Sequence, residues 1–299
     1  MVNYPEKVYL NGDILKSSEA KISVFDRGFL FGDGIYEVMV QLNNHFFFGD
    51  AHLKRLADCI KKINIEFDTA ILKDQIDTLV KAANMESKDC LVYIQVTRGV
   101  APRKHSFPKK TTATLMMYAI PFTLPDVNNK LVSVVSQLDF RWHRCDIKMT
   151  SLLGNVMAND IAIQNGHYEA VFHRDGKMTE GSHSNLFFVK DGIVYTHPAD
   201  VLILNGITRE IVLKLCRDFK IPYEEKAISF KNIATMDEAF LTGTSTQIAS
   251  IKQFDDHKYY DGNRPGPITQ KLQESFLELK KNYSPELSYK DSSSFLNSL

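Results

Sequence analysis

The chain contains little cysteine and no surplus of either charge, and each shortage excludes a class of protein. Only four of its 299 residues are cysteine, and no two of them form a C-x-x-C pair. A chain of this length can build its core without disulfides, so we expect buried, reduced thiols. The 36 Lys and Arg residues balance 36 Asp and Glu residues, which leaves no basic excess for a phosphate backbone. The sequence therefore predicts no nucleic-acid partner.

Long apolar runs are also missing. No stretch approaches the roughly 20 residues of a transmembrane helix, and the first ten residues, MVNYPEKVYL, contain no signal-peptide pattern. The histidines, including His173 and His197, do not follow metal-ligand spacing, so no metal site is expected. With 44% apolar and 24% charged residues, the composition is that of a globular protein. We therefore expect a cytoplasmic protein without a membrane partner.

Turn-forming residues divide the chain into two regions of mixed secondary structure. The segment 121–130, PFTLPDVNNK, combines prolines, asparagines and an aspartate, which is typical of a linker. We predict an N-terminal domain at 1–120, a linker at 121–134, a C-terminal domain at 135–283 and a disordered, Ser-rich tail at 284–299. Strands and helices alternate without a strict βαβ order, which indicates two α+β lobes.

Hydrophobic periodicity predicts the individual elements. Strands are predicted at 7–10, 21–25, 37–41, 91–97, 112–120, 131–136, 168–173, 186–189, 193–195 and 237–242. Helices are predicted to begin near Asp50, Leu72, Ser151, Gly206 and Pro267. Asp-Gly pairs at 175–176 and 191–192 lie between apolar runs and indicate hairpins.

Five segments in a fixed order resemble the fold-type IV pyridoxal-phosphate enzymes, a group of branched-chain aminotransferases, D-amino-acid aminotransferases and aminodeoxychorismate lyases. The segments are DRGFLFGDGIYE (26–37), RWHRCDIKMTSLLGN (141–155), EAVFHRDGKMTEGSHSNLFFV (169–189), LNGITR (204–209) and LTGTST (241–246). The resemblance extends from about Tyr9 to Tyr283, and five motifs in order are far more specific than one. It implies a two-domain α+β fold with a smaller N-terminal α/β lobe and a larger C-terminal lobe that contains a barrel-like sheet.

The resemblance also assigns the catalytic and ring-binding residues. Nothing local distinguishes Lys148 from the other lysines, but it occupies the position of the lysine that binds pyridoxal 5′-phosphate covalently and then moves a proton at the substrate α-carbon. Such an amine must be neutral to react, and burial favours that form. Glu180 is expected against the ring nitrogen of the cofactor, and Asn185 lies close by in the same segment. His183 stands where the D-amino-acid enzymes usually have serine, which changes the packing or charge near the ring.

A phosphate site is predicted from both physics and resemblance. Gly206 precedes a helix, so the free backbone N–H groups of Ile207 and Thr208 and the positive end of the helix dipole face one point. The resemblance adds Arg55, on the first long helix, and Thr244, which follows a glycine.

Substrate choice is predicted from the loop QVTRGVAPRKHSFP at 95–108. Arg103 and His105 are two residues apart, so an extended backbone directs both side chains to one side, and two cationic donors suit a carboxylate. The R-x-H pattern resembles the trap for the substrate α-carboxylate in D-amino-acid aminotransferases, which Tyr36 completes; Ser245 is a further expected substrate contact. The segment RWHRCDIK also resembles the D-specific group more than the branched-chain group. In these families the loop reaches a neighbouring subunit, so the resemblance implies a homodimer.

The expected reaction transfers an amino group from a D-amino acid, such as D-alanine or D-glutamate, to a 2-oxo acid. Transamination of branched-chain L-amino acids is the main competing function, because the stretch DGNRPGPIT is shared with that group. The motifs are also compatible with an aminodeoxychorismate lyase, or with a protein that binds pyridoxal phosphate and has little catalytic activity.

Overall fold

The protein divides into two compact units. The computed structural model describes residues 4–126, 131–260, 262 and 264–284. Residues 127–130 of the predicted linker and the predicted tail beyond residue 284 lie outside these ranges. One unit comprises the chain up to Thr123 together with Ile147–Ser151, and the other comprises Leu124–Asp146 and Leu152–Tyr283.

The first unit is an antiparallel sheet with helices packed on one face. Its described strands are β1 (Lys7–Leu10), β2 (Asp13–Lys16), β3 (Gly34–Leu42), β4 (His45–Phe46), β5 (Cys90–Thr97) and β6 (Thr114–Pro121), and its helices are α1 (Arg27–Phe31), α2 (Gly49–Lys62) and α3 (Leu72–Ala82), preceded by a 3-10 turn at Thr69–Ile71. The strand order is β2-β1-β6-β5-β3-β4, and all neighbours are antiparallel.

Alternation along the central strands separates the core of this unit from its other face. Along β5, Val92 and Ile94 are buried, whereas Tyr93 and Gln95 are only partly buried. The buried residues join Leu56 of α2 in one cluster, as expected for a sheet with one face covered. The other face therefore carries the partly buried polar and aromatic side chains.

The second unit is built around a closed ring of strands. Its described strands are β7 (Leu131–Leu138), β8 (Glu169–Arg174), β9 (Lys177–Gly181), β10 (Asn185–Lys190), β11 (Ile193–Thr196), β12 (Tyr223–Glu225), β13 (Glu238–Gly243), β14 (Gln247–Phe254) and β15 (His257–Lys258), and its helices are α4 (Leu153–Gln164), α5 (Ile207–Asp218) and α6 (Pro267–Asn282), with a 3-10 helix at Phe230–Thr235. The order β10-β13-β14-β7-β8-β9 closes because β9 also pairs with β10. The predicted α+β class, with a barrel-like sheet in the C-terminal lobe, is confirmed.

Two local predictions in the first unit are wrong. Residues 21–25 form no strand, and Ile22, Val24 and Phe25 are at least half exposed. An alternating sequence forms a strand only where a neighbouring strand pairs with it. The helix predicted to be capped by Asp50 begins one residue earlier, at Gly49, so Asp50 lies in its first turn, where a carboxylate suits the helix dipole. Conversely, β2 went unpredicted although the Asn11-Gly12 turn before it is a strong hairpin signal.

The segment around Lys148 belongs to a different unit from the one that the predicted domain boundaries give it. Sequence reasoning assigns it to the C-terminal domain at 135–283, but Ile147–Ser151 belongs to the first compact unit. Its backbone pairs with the start of β3: Tyr36 donates to the Lys148 carbonyl at 3.0 Å, and Thr150 donates to the Gly34 carbonyl at 3.0 Å. A short return of the chain to another unit leaves no signal in hydrophobic periodicity.

Gly99 provides a test of backbone constraint beside the 101–110 loop. Its φ is +92°, and a Cβ there would overlap the carbonyl oxygen of Thr112. Gly12, in the same unit, has a similar φ of +110° but open space around a Cβ. We expect Gly99→Ala to lower the free energy of unfolding by about 2 kcal/mol more than Gly12→Ala, because the overlap adds to the shared strain. Equal losses in urea denaturation would show that strain alone acts.

Candidate active site

Lys148 lies beside Tyr36 on the partly buried face of the first unit. The Lys148 Nζ is 4.2 Å from the centroid of the Tyr36 ring, a distance at which a ring face attracts an ammonium group. The Lys148 amide also lies 3.4 Å from the Sγ of Cys59. Burial raises the pKa of that thiol, so its neutral form supports the lysine backbone. Both predicted residues are therefore in contact, and Lys148 is fixed through its main chain on β3.

Behind Tyr36, a buried carboxylate holds two basic side chains. Glu37 is fully buried on β3, and its oxygens lie 3.0 Å from His52 Nδ1 and 2.8 and 2.9 Å from Arg55 nitrogens. Burial alone would raise the pKa of Glu37, but Arg55 and His52 hold it well below its usual range. Burial lowers the pKa of His52, so its ring is neutral at pH 7. Arg55, the predicted phosphate contact, thus has a fixed direction and a side chain that is 13% exposed.

In the second unit, Glu180 lies at the centre of a buried polar network. Its Oε1 accepts a bond of 2.8 Å from Arg141, and its Oε2 accepts from the Leu204 amide at 2.9 Å and from Asn185 Nδ2 at 3.2 Å. Arg141 also pairs with Asp139 at 3.0 Å. Despite these donors, burial raises the pKa of Glu180 to about 7. The predicted pair Glu180 and Asn185 is thus directly hydrogen-bonded.

The Glu180 carboxylate has an unused hydrogen-bond acceptor position that fits a protonated ring nitrogen. A carboxylate offers about four lone-pair sites, and the three bonds above occupy one site on Oε1 and two on Oε2. One position on Oε1 remains for a further donor. A cationic donor there would also favour the ionised carboxylate. The donor set is therefore compatible with the pyridinium of pyridoxal 5′-phosphate.

The start of α5 fits a phosphate group. Gly206 is the N-cap residue, and it has no side chain that could cap the first amides of the helix, which include those of Ile207 and Thr208. A Cβ on Gly206 would overlap Asn185 Oδ1, so the helix begins directly against β10. Thr208 is buried. The N-terminus of a 12-residue helix whose N-cap residue is glycine is a suitable site for an anion.

The turn with Thr244 and Ser245 follows the strand next to this helix start. Asn185 pairs with Thr242 across β10 and β13, which places the turn after β13 near the same strand ends. Thr244 is partly buried, and Ser245 is exposed. His183 also lies here: its side chain is 46% exposed, and its Nδ1 is 3.6 Å from the buried Glu169 carboxylate. The imidazole therefore faces an acidic neighbour within its own unit.

Arg103 and His105 lie on an exposed loop of the first unit. Both side chains contact one aromatic ring: the Arg103 Cζ is 5.2 Å and the His105 ring centroid 5.9 Å from the centroid of Phe31. Within the described residues, neither side chain has a carboxylate within 4.0 Å. Both remain available for an anion.

The structure thus places the predicted residues in two groups, each within one unit. Tyr36, Lys148, Arg55, Arg103 and His105 belong to the first unit. Glu180, Asn185, Ile207, Thr208, Thr244 and Ser245 belong to the second unit. Sequence reasoning missed the residues that hold them, namely Glu37, His52, Asp139 and Arg141. The signal for Glu37 was present, because alternation along β3 puts an acidic residue in a core position.

Other classes of site find no support in the described ranges. No group of three or more His, Cys, Asp or Glu side chains there could hold a metal ion. None of the helices in that part of the chain combines the length and apolar character needed to cross a membrane.

Replacing Glu37 tests the buried network. Glu37→Gln removes the carboxylate charge that accepts two hydrogen bonds from the buried Arg55 guanidinium, so we expect a loss of about 3 kcal/mol in the free energy of unfolding at pH 7. Because the folded-state pKa of Glu37 is depressed, its contribution is complete above about pH 4.5 and is lost as the pH falls further. The gap between wild type and variant should therefore narrow in acid. Glu66→Gln, at an exposed position on the same unit, is the control; a gap independent of pH would contradict the ion pair.

The chain is similar to known proteins over most of its length. The family described as amino-transferase class IV matches residues 34–254. A D-alanine aminotransferase of Staphylococcus aureus (strain MSSA476) is 38% identical over 282 residues, which cover 93% of this chain and 99% of the relative. A D-alanine aminotransferase of Bacillus licheniformis is 40% identical over 270 residues, covering 89% and 94%.

Solved structures share the fold. The branched-chain amino acid aminotransferase of Escherichia coli has a TM-score of 0.86 at 20% identity and covers 96% of this chain and 98% of its own. The branched-chain aminotransferase of Thermoproteus uzoniensis, solved with norvaline, has a TM-score of 0.82 at 27% identity and covers 95% and 97%. The family match and the curated relatives both extend over most of the chain, and the protein belongs to the class IV aminotransferases.

Proposed function

We propose that this enzyme transfers the amino group of a D-amino acid, D-alanine or D-glutamate, to a 2-oxo acid. The observation that carries the proposal is the pairing of Arg103 and His105 on the Phe31 ring, with no acidic partner among the described residues. Two such donors on one loop suit the α-carboxylate common to amino acids and 2-oxo acids. Relatives of 38–40% identity that are called D-alanine aminotransferases support the D preference.

As a class IV aminotransferase, the enzyme uses pyridoxal 5′-phosphate, which when bound accepts the electrons released at the substrate α-carbon. Lys148 would hold the cofactor covalently, and Glu180 with Asn185 would hold its ring. The amides of Ile207 and Thr208 would bind its phosphate. Arg55 and Thr244 are the further phosphate ligands that the resemblance to the family implies.

The roles of this chain's residues follow from their chemistry. The Lys148 amine, when free and neutral, can take a proton from the substrate α-carbon and return it elsewhere. Glu180 keeps a negative charge at the ring nitrogen, which favours the electron-accepting form of the ring. The Tyr36 ring contacts the Lys148 amine, and Tyr36 would orient the substrate carboxylate together with Arg103 and His105. Ser245 would contribute a further donor.

The D preference has a geometric basis. Around a fixed cofactor and a fixed lysine, the substrate carboxylate can be held on either of two sides. Changing the side reverses which hand of amino acid presents its α-hydrogen to Lys148. A carboxylate bound by Arg103, His105 and Tyr36 corresponds to the D enantiomer in the D-specific enzymes that the sequence resembles.

Transamination of branched-chain L-amino acids is the second candidate. The specific observation in its favour is the fold shared with the Thermoproteus uzoniensis enzyme, a branched-chain aminotransferase, at 27% identity. The same loop would then bind a different part of the substrate. An aminodeoxychorismate lyase or a weakly active binding protein has no need for a carboxylate trap of this kind.

We also propose a homodimer and a cytoplasmic location. The loop with Arg103 and His105 is exposed in the single chain, which would leave it accessible to a second subunit. The four cysteines are all buried and free of disulfides, which suits a reducing compartment.

A half-reaction with paired enantiomers tests the proposal. D-alanine should bleach the absorption band of the enzyme-bound cofactor, whereas L-leucine should leave it unchanged over the same time. The Lys148→Ala variant, loaded with cofactor, should respond at least about 1,000-fold more slowly to D-alanine, because it lacks the proton carrier. Bleaching by L-leucine but not by D-alanine would establish the branched-chain function, and no bleaching by either would refute transamination.

The raised pKa of Glu180 predicts how cofactor affinity depends on pH. In the free protein Glu180 is half protonated near pH 7, whereas a cationic ring nitrogen needs the ionised carboxylate. Binding must therefore displace a proton below about pH 7, and affinity should fall as the pH is lowered from 8 to about 6. Fluorescence titration of the Lys148→Ala protein with pyridoxal 5′-phosphate measures this trend. Adding Glu180→Gln should flatten it; an unchanged slope would place the titrating group elsewhere.

A further inference from the structure

We infer that Phe31 and Arg27 are positioning residues, which hold Arg103 and His105 in the geometry that binds the substrate α-carboxylate. The inference rests on the proposed function and assigns a role to the segment DRGFLFGD at 26–33, which the reaction itself leaves without one. This segment packs against the exposed loop at 101–110 and forms a structural support for it.

The support begins with a buried charge cluster. The Asp33 carboxylate accepts from Arg27 Nε at 2.7 Å and from Arg98 Nε and Nη2 at 2.8 and 2.9 Å. The three side chains are only 4%, 5% and 8% exposed for Arg27, Arg98 and Asp33. Arg98 also donates to the carbonyls of Ile63 and Asn64, at the end of α2, both at 2.8 Å. Desolvated pairs with this many hydrogen bonds have little freedom to move.

The helix that carries Phe31 is anchored independently. Asp26 caps α1 by accepting from the Gly28 amide at 2.8 Å, and it accepts from the hydroxyls of Thr97 and Thr114 at 2.8 and 2.7 Å. These threonines lie at the paired ends of β5 and β6. Position and direction of α1 are therefore determined by the sheet.

The loop is fastened to this support at several points. Arg27 Nη1 donates to the Lys104 carbonyl at 2.7 Å, which is the carbonyl between the two predicted substrate contacts. The Phe107 ring covers the Arg98 guanidinium, with 3.6 Å from Cζ to the ring centroid. Residues 101–110 contain no helix or strand of their own. Their conformation therefore depends on these contacts.

Phe31 completes the arrangement by contacting three cationic or potentially cationic groups. Its ring centroid is 4.6 Å from the Arg27 Cζ, 5.2 Å from the Arg103 Cζ and 5.9 Å from the His105 ring centroid. Arg27 is paired with Asp33, whereas Arg103 and His105 have no acid partner among the described residues. The Phe31 ring thus orients Arg103 and His105 while leaving their hydrogen-bond donors available for an anion.

Positioning of this kind has a characteristic kinetic effect. An arginine side chain has considerable rotamer freedom, and ordering it on binding costs affinity. A ring contact that orders it beforehand removes that cost from every bound state of a carboxylate, so it should change KM and leave kcat nearly constant. A merely structural role for Phe31 would instead lower stability or cofactor content.

The experiment compares Phe31→Leu with Phe29→Leu in the holoenzyme. Phe29 lies on the same helix and is 68% exposed, so it receives the same substitution without the contact. We expect Phe31→Leu to raise the KM for D-alanine, and the inhibition constant of propionate, by about tenfold each. Propionate carries a carboxylate but no amine, so it reports on carboxylate binding without the transfer of an amino group. The kcat, the cofactor absorbance and the melting temperature should match those of Phe29→Leu.

A double-mutant cycle with Arg103→Leu identifies the partner through which Phe31 acts. Arg103→Leu should raise the KM for D-alanine and the inhibition constant of propionate more than Phe31→Leu does. In the double variant, Phe31→Leu should raise these constants by less than a further factor of about three. Arg27→Lys is the second variant: it retains the charge beside Asp33 but cannot reach the Lys104 carbonyl as well, so KM should again rise with kcat nearly constant.

The outcomes separate the inference from the proposed function. The inference would be overturned if Phe31→Leu and Arg27→Lys gave KM and inhibition constants within twofold of those of Phe29→Leu while Arg103→Leu still raised KM. That result would leave the proposed function standing. A fall in melting temperature or cofactor content that accounts for the kinetic change would also overturn it, in favour of a structural role. If Arg103→Leu changes neither constant, the carboxylate trap itself is refuted and the inference with it.

Discussion

Buried arginine–carboxylate pairs hold the polar groups of both units, because a charge removed from water must find its partner inside the protein. Glu37 holds Arg55, Asp33 holds Arg27 and Arg98, and Arg141 is shared between Asp139 and Glu180. Each carboxylate accepts at least two bonds, so each pair fixes a direction as well as placing opposite charges together. Of the residues proposed to bind the cofactor, Arg55 and Glu180 are members of these pairs, and Asn185 is hydrogen-bonded to Glu180. Their geometry is therefore determined before any ligand binds.

Strand β3 shows how one short segment supplies several of these functions. Its period of two directs Tyr36 to the partly buried face and Glu37 to the core. Tyr36 meets Lys148, which returns to β3 by main-chain hydrogen bonds, while Glu37 orients Arg55 and His52. Preorganisation of this kind limits the reorganisation that catalysis would otherwise require.

The parts of the fold that were predictable are those with a local cause. The Asp-Gly hairpins, the apolar faces of α2 and α3 and the glycine before α5 each follow from backbone preference or periodicity. The strand expected at 21–25 failed, because alternation there meets no partner, and β2 escaped although its turn sequence was favourable. The two errors differ in kind, because a partner for 21–25 could only come from elsewhere in the chain, whereas β2 pairs locally with β1 across the Asn11-Gly12 turn.

By itself, the sequence determined the class of fold, the family and the identity of the residues expected to react, because these are properties of motifs and of composition. It could not determine that Ile147–Ser151 joins the first unit, that Glu180 shares Arg141 with Asp139, or that Phe31 lies under both Arg103 and His105. Each of these contacts joins residues that lie dozens of positions or more apart in the sequence. Only the folded chain brings such residues within a few ångströms, where electrostatic and packing forces act.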